Sequence, residues 1–217
     1  MISLDLPGGP LSVLCLGAHP DDIEIGCGGT LLALAATRRV TATHVILTGT
    51  EDRQVEGRHA AQLFWKDTAD EPTVVNHSFR DGRLPASWDD VKQALEDVAA
   101  DVRPHLILAP RTDDSHQDHR LLAELVPTVW RNALVLHYEI PKWEGDLAAV
   151  THYVPLTREQ AVSKARLLDE AYPSQHHHDW WDEETFLALM RLRGVECRAP
   201  YAEGFVSRKT VLGLGQA

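Results

Sequence analysis

The 217-residue chain has no apolar run approaching the ~18 residues of a membrane-spanning helix, so no membrane span is expected. Its opening stretch, MISLDLPGGP, lacks a basic region followed by a long apolar one, and does not read as a secretory signal. Basic residues are in short supply: Lys+Arg number 21 against 32 Asp+Glu, for a formal charge of −11, and no Lys/Arg-rich block offsets this. An acidic chain repels a phosphate backbone, which argues against nucleic acid as the main partner. Cysteine is scarce too. Cys15, Cys27 and Cys197 are odd in number and form no CxxC pair, which suits a reducing cytoplasm without structural disulfides. The chain has no internal repeat, low-complexity tract or linker, so one domain over 1–217 is expected. The Gly-rich GCGG at 26–29 has neither GxGxxG spacing nor a P-loop lysine, and reads as small residues for close helix–strand packing.

What is present alternates. Apolar or β-branched runs at 11–19, 40–50, 71–79 and 105–110 read as strands. Helical patterns fall between them at 28–39, 57–69 and 87–102, the last with Ser87 as its candidate N-cap. An apolar helix from 121, with Pro127 as a kink or break, strands at 134–140 and 151–157, and a helix at 158–172 complete the reading. Strand–helix alternation implies an α/β fold, a Rossmann-like three-layer sandwich whose mostly parallel sheet carries helices on both faces. Ligands of such sheets bind beyond the carboxyl ends of the strands. Two polar segments fall there: AHPDD after the first strand and DDSHQDH after the fourth.

The first segment offers His19, Asp21 and Asp22; the second offers Asp113, Asp114, His116, Asp118 and His119. Imidazoles and carboxylates together suit zinc or a similar divalent ion, and three protein ligands leave a position open for water. A cation also relieves the repulsion between the adjacent carboxylates of Asp21 and Asp22. Alone, HPDD reads equally as an Asx-turn or helix cap and HxxH as a solvated loop. Their joint position at one sheet edge gives them weight. His176, His177 and His178 are consecutive on an extended segment and cannot all face one ion. His44, His59, His77, His105, His137 and His152 read as ordinary core or edge residues.

AHPDDIEIGCGGTL at 18–31 with HQDH at 116–119 resembles the zinc-dependent N-deacetylases of the PIG-L/LmbE-like family. RDGRL (80–84), AYPSQ (171–175) and YAEGF (201–205) resemble further elements of it. Many members have Glu directly after the Asp pair; here Ile23 intervenes and Glu24 follows. The resemblance implies removal of acetyl groups from N-acetylglucosamine-type sugars or related conjugates. It implies Zn2+ as cofactor, with Fe2+ suited to the same ligands, and an acetylated small-molecule substrate. By motif match the metal ligands are His19, Asp22 and His119, and Asp21 is the general base. His116 is the candidate donor to the oxyanion, expected as an imidazolium held charged by Asp118 or Asp113. Arg58 and Asp81 are the candidates for substrate hydroxyls. Residues 175–181 are expected at the pocket mouth, with Trp180 or Trp181 on a sugar face or in the core. Homo-oligomerisation is open, with the apolar helix 121–131 as the candidate face. Two alternatives stay open: a metal-dependent hydrolase of another amide or ester, and a non-catalytic metal- or sugar-binding module. The spare carboxylate of Asp21 argues against the module.

Overall fold

Strand β1 (Leu11–Gly17) alternates its side chains between two separate cores: Val13 and Cys15 belong to one, Leu14 and Leu16 to the other. That period of two is what a strand buried on both faces requires. Strand β4 (Leu106–Pro110) does the same, with Leu106 and Leu108 on one side and Ile107 and Ala109 on the other. A computed structural model describes residue 6, residues 8–68 and residues 70–211. The ends of the expected 1–217 domain, and residue 69 of the expected helix 57–69, lie outside the described residues.

The described residues form one sheet of seven strands, in the order β3-β2-β1-β4-β5-β7-β6. β2 (Val40–Thr48), β3 (Thr73–Phe79) and β5 (Leu134–Tyr138) run parallel to β1 and β4. β7 (Tyr201–Val206) runs antiparallel to β5 and to β6 (His152–Leu156). Helices α1 (Asp22–Thr37), α2 (Glu51–Phe64), α5 (Arg158–Ala171) and α6 (Glu183–Cys197) put apolar residues into the first core. Helices α3 (Trp88–Asp101) and α4 (Gln117–Val129) pack into the second. The result is the expected three-layer, mostly parallel α/β arrangement.

Several boundaries differ from the sequence reading, each for a local reason. α2 starts at Glu51 rather than 57, because the Thr50 hydroxyl caps the Arg53 amide and Glu51 and Asp52 favour the positive end of the helix dipole. α4 starts at Gln117 rather than 121, capped by His116, and Pro127 sits inside it without ending it. Ser87 precedes α3 but makes no side-chain cap bond. Leu121, Leu122, Leu125 and Val126 are buried against the sheet, so the exposed face of 121–131, the candidate for association, carries Glu124, Thr128 and Arg131. Helix α6 and the antiparallel strand β7 have no counterpart in the sequence reading.

α1 begins at Asp22 rather than 28, because it consists of two segments joined at Cys27, where φ −143° and ψ 18° leave the helical region. The break frees amides that a continuous helix would pair. The buried carboxylate of Glu203, on β7, accepts the Gly29 amide at 2.8 Å and the Thr30 amide at 2.6 Å. Lys164 of α5 donates to the same carboxylate at 2.6 Å and to the Ile25 carbonyl at 2.6 Å. Close packing here explains the small residues: a Cβ on Gly26 would lie 2.1 Å from the Tyr138 ring, and one on Gly29 would lie 2.4 Å from Leu156. Glu203→Ala strands a buried ammonium and two amides at once. The expected cost is about 3–5 kcal/mol of folding stability, read as a lower midpoint in urea unfolding.

Candidate functional site

The strand order runs β1-β2-β3 to one side and β4-β5 to the other, so the chain diverges at the β1/β4 boundary. At such a switch point the loops leaving the two strands turn apart and open a crevice. AHPDD leaves β1 and RTDDSHQDH leaves β4, which is why residues a hundred positions apart meet. The crevice is a cavity of about 590 Å³. His19, Asp21, Asp22, Arg53, Asp81, His116 and His119 line it, along with Lys142, Trp143, Gln175, His178 and Trp180.

Three side chains converge at its buried end. His19 Nδ1 lies 3.1 Å from His119 Nε2. Asp22 Oδ1 lies 3.2 Å from His119 Nε2, and Asp22 Oδ2 lies 3.4 Å from His19 Nδ1. A tetrahedral ion with ligands at roughly 2.0–2.2 Å holds its donor atoms about 3.3–3.6 Å apart, close to these separations. The set of His19, His116 and His119 and the set of His19, Asp81 and Asp118 each bring donor atoms within 4.8 Å of one another. Electrostatics agree with geometry. Burial alone would raise the Asp22 carboxyl, but the His119 and His19 imidazoles hold it well below the usual carboxylate range. Burial alone would lower His119, yet Asp22 and then Asp114 hold it up at about 9. His19 is raised in the same way, chiefly by Asp22 against burial. The pocket therefore favours positive charge at the point where the three side chains meet.

The adjacent aspartates have different partners. Asp22 sits at the start of α1 and its carboxylate accepts the His19 amide at 2.8 Å. Asp21 is buried, with its Oδ2 3.0 Å from Arg53 Nη2. Arg53 in turn bonds Glu56 at 2.9 Å and Ser174 Oγ at 3.0 Å, and its guanidinium lies 5.6 Å from the Tyr172 ring centroid. Tyr172 donates its hydroxyl to the Pro20 carbonyl at 2.6 Å. So AYPSQ supports the AHPDD turn from behind. Burial pushes the Glu24 carboxyl to about 8, and this neutral acid lies 2.6 Å from the Tyr172 hydroxyl.

Asp118 is fully buried and accepts the Gly82 amide at 2.8 Å and the Leu84 amide at 3.1 Å. It fastens the RDGRL loop, which places Asp81 Oδ1 3.0 Å from His19 Nε2. Asp118 therefore does not hold His116 charged, and Asp113 is engaged with Arg111 through two bonds of 2.8 and 2.6 Å. Burial, followed by the neighbouring His119 and His19, lowers His116 below its ordinary value. Its Nδ1 accepts the Asp118 amide at 3.3 Å, which leaves the proton of the neutral ring on Nε2. A neutral ring so arranged is an N–H donor. Asp114 Oδ2 lies 3.1 Å from His119 Nδ1, an ion-pair contact, and accepts Lys142 Nζ at 3.0 Å.

Arg58 is exposed on α2 and does not line the crevice; Arg53 does. The signal for Arg53 was Thr50-Glu51-Asp52, a helix start that moves the first turn of α2 to the cavity. His176 and His177 are exposed, bonding Asp169 and Ser174, and join no metal-ligating group among the described residues. Trp181 is in the core and Trp180 is at the cavity. Asp118→Ala removes the acceptor of two loop amides. Protection of the Gly82 and Leu84 amides in hydrogen exchange is expected to fall by about 1–3 kcal/mol, while that of the β1 amides is unchanged.

Comparison with known proteins places this architecture. The chain is 31% identical over 141 residues to an uncharacterized deacetylase, YaiS, of Escherichia coli K12, covering 59% of this chain and 74% of that protein. It is 30% identical over 121 residues to the diacetylchitobiose deacetylase of Thermococcus kodakarensis, covering 50% of this chain and 45% of that one. The crystal structure of the conserved protein TT1542 from Thermus thermophilus superposes with a TM-score of 0.72 at 26% identity, over 95% of this chain and 100% of that one. The family model described as PIG-L, GlcNAc-PI de-N-acetylase, matches residues 14–130, which hold both polar loops and more than half of the sequence. The chain belongs to the PIG-L family.

Proposed function

We propose that the protein is a metal-dependent N-deacetylase that hydrolyses the acetamide of an N-acetylated amino sugar, of the N-acetylglucosamine type, and releases acetate. The observation that carries this reading is the convergence of His19, Asp22 and His119 beside a separate carboxylate, Asp21, in one cavity. The family match and the deacetylase relatives support it. His19, Asp22 and His119 would hold a divalent ion, Zn2+ in the first place and Fe2+ with the same ligands. When bound, such an ion supplies Lewis acidity toward a carbonyl oxygen and a water molecule.

The side chains divide the remaining work. Asp21, aimed by its ion pair with Arg53, takes a proton from the attacking water. As the water oxygen bonds to the acetyl carbon, charge builds on the carbonyl oxygen, and the neutral His116 Nε2–H donates to it. Asp21 then returns its proton to the sugar nitrogen as the C–N bond breaks. The products are acetate and the free amine. Asp114 fixes the His119 ring, and Asp118 holds Asp81 where a sugar hydroxyl can bond to it. We take the whole chain to act as one catalytic unit, and its free cysteines suit the cytoplasm. No helix among the described residues is long and apolar enough to cross a membrane.

Acetate release from N-acetylglucosamine conjugates should stop on chelation and return with added Zn2+. Asp21→Asn should retain the metal, by elemental analysis, and lose roughly 10²–10⁴-fold in kcat. Near-full turnover in that variant would overturn the assignment of the base. His119→Ala should lose both metal and activity, and turnover indifferent to chelators would overturn the metal assignment. His116→Ala is expected to lower kcat by about 10²-fold or more with KM little changed.

A further inference from the structure

The cavity has a feature that the proposed chemistry does not use. Its mouth is built from three aromatic rings brought from two distant segments. Trp143 stands between β5 and β6; His178 and Trp180 stand between α5 and α6. Trp143 meets His178 edge-on at 5.4 Å and Trp180 at 6.1 Å. His178 lies nearly parallel to Trp180, 14° apart in plane with centroids 5.7 Å apart. Trp180 touches Trp181, which is buried against Tyr172 and Phe186 and so ties the group to the core.

Trp143 is 65% exposed, yet it is held in place, because its indole Nε1 donates to Asp179 at 2.8 Å. Leaving a large apolar side chain in water rather than burying it forgoes hydrophobic stabilisation. Here the fold uses ring contacts and a hydrogen bond to keep one at the opening of a cavity. Charge gives a second observation. The two cations lining the cavity are already paired, Arg53 with Asp21 and Glu56, and Lys142 with Asp114 and Asp146. Glu144 and Asp81 add negative charge. Such a mouth opposes a phosphate and accepts a neutral group. Size gives a third: about 590 Å³ falls among cavities that hold drug-sized ligands rather than single small rings.

We propose that Trp143, flanked by His178 and Trp180, is the platform for a second, uncharged sugar ring of the substrate. A pyranose offers a face of C–H groups that lies on an indole while its hydroxyls stay in water. The substrate class is then an acetamido sugar joined to a neutral sugar, not a monosaccharide and not a sugar phosphate. This inference rests on the deacetylase reading and adds the identity of the neighbouring group.

The test compares zinc-loaded protein on N-acetylglucosamine, N,N′-diacetylchitobiose and N-acetylglucosamine 1-phosphate, with acetate release as readout, in the original chain, Trp143→Ala and Trp143→Phe. The disaccharide should exceed the monosaccharide in kcat/KM by about tenfold, the scale of one stacked ring contact. Trp143→Ala should bring that ratio close to one, and Trp143→Phe should keep most of it. The phosphate ester should be the poorest of the three. In parallel, the disaccharide should quench tryptophan fluorescence of the metal-free protein, and Trp143→Ala should abolish saturable quenching. A wild-type ratio near one, a ratio unmoved by Trp143→Ala, or a preference for the phosphate ester would overturn the platform. Should no acetate appear from any of the three while Trp143-dependent quenching persists, the hydrolytic reading fails and the platform stands.

Discussion

A carboxylate buried against two imidazoles is stable only if positive charge shares the space. Asp22 meets that condition: its oxygens face His119 at 3.2 Å and His19 at 3.4 Å, and its second anchor is a backbone amide. Its place at the start of α1 adds the positive end of a helix dipole. The positive charge can be a proton shared among the rings or a divalent ion, and the same attraction serves both. The geometry depends on β1 and β4 being neighbours, because their register, Val13 opposite Leu106, fixes how far each loop must travel.

An acidic cleft built this way survives because each carboxylate has its own partner. Asp21 has Arg53, Asp22 has the two rings, Asp114 has Lys142 and His119, and Asp118 has two loop amides. Repulsion between Asp21 and Asp22 is relieved because each is paired separately, Asp21 with Arg53 and Asp22 with the two imidazoles. Burying an unpaired carboxylate would be far more costly than any of these pairings.

The parts legible in the sequence were those governed by local rules. The alternation of strands and helices up to β4 followed from apolar periodicity, and the two polar loops followed from their place after strands. Helix α6 was not legible: its charged residues surround a narrow stripe of Phe186 and Met190, and Arg193 reaches inward to Glu139 at 2.7 Å. Strand β7 was hidden because YAEGF places a glutamate and a glycine where a core strand usually has apolar residues. Glu203 is tolerated through Lys164 and the Gly29 and Thr30 amides, all from other parts of the chain. Arg53 was missed by starting α2 too late. Asp118 reads in sequence as the natural partner of His116, whereas the fold sends that carboxylate to the loop after β3.

The residues matching the family model end at 130, and both polar loops lie inside that span. Trp143, His178 and Trp180 lie beyond it, on the connections between β5 and β6 and between α5 and α6. On the proposed reading, the groups that act on the acetamide and the ring that would hold its neighbour lie in separate stretches of one chain. Exchanging the later stretch would then alter which molecules are admitted while the residues around His19, Asp22 and His119 stayed as they are.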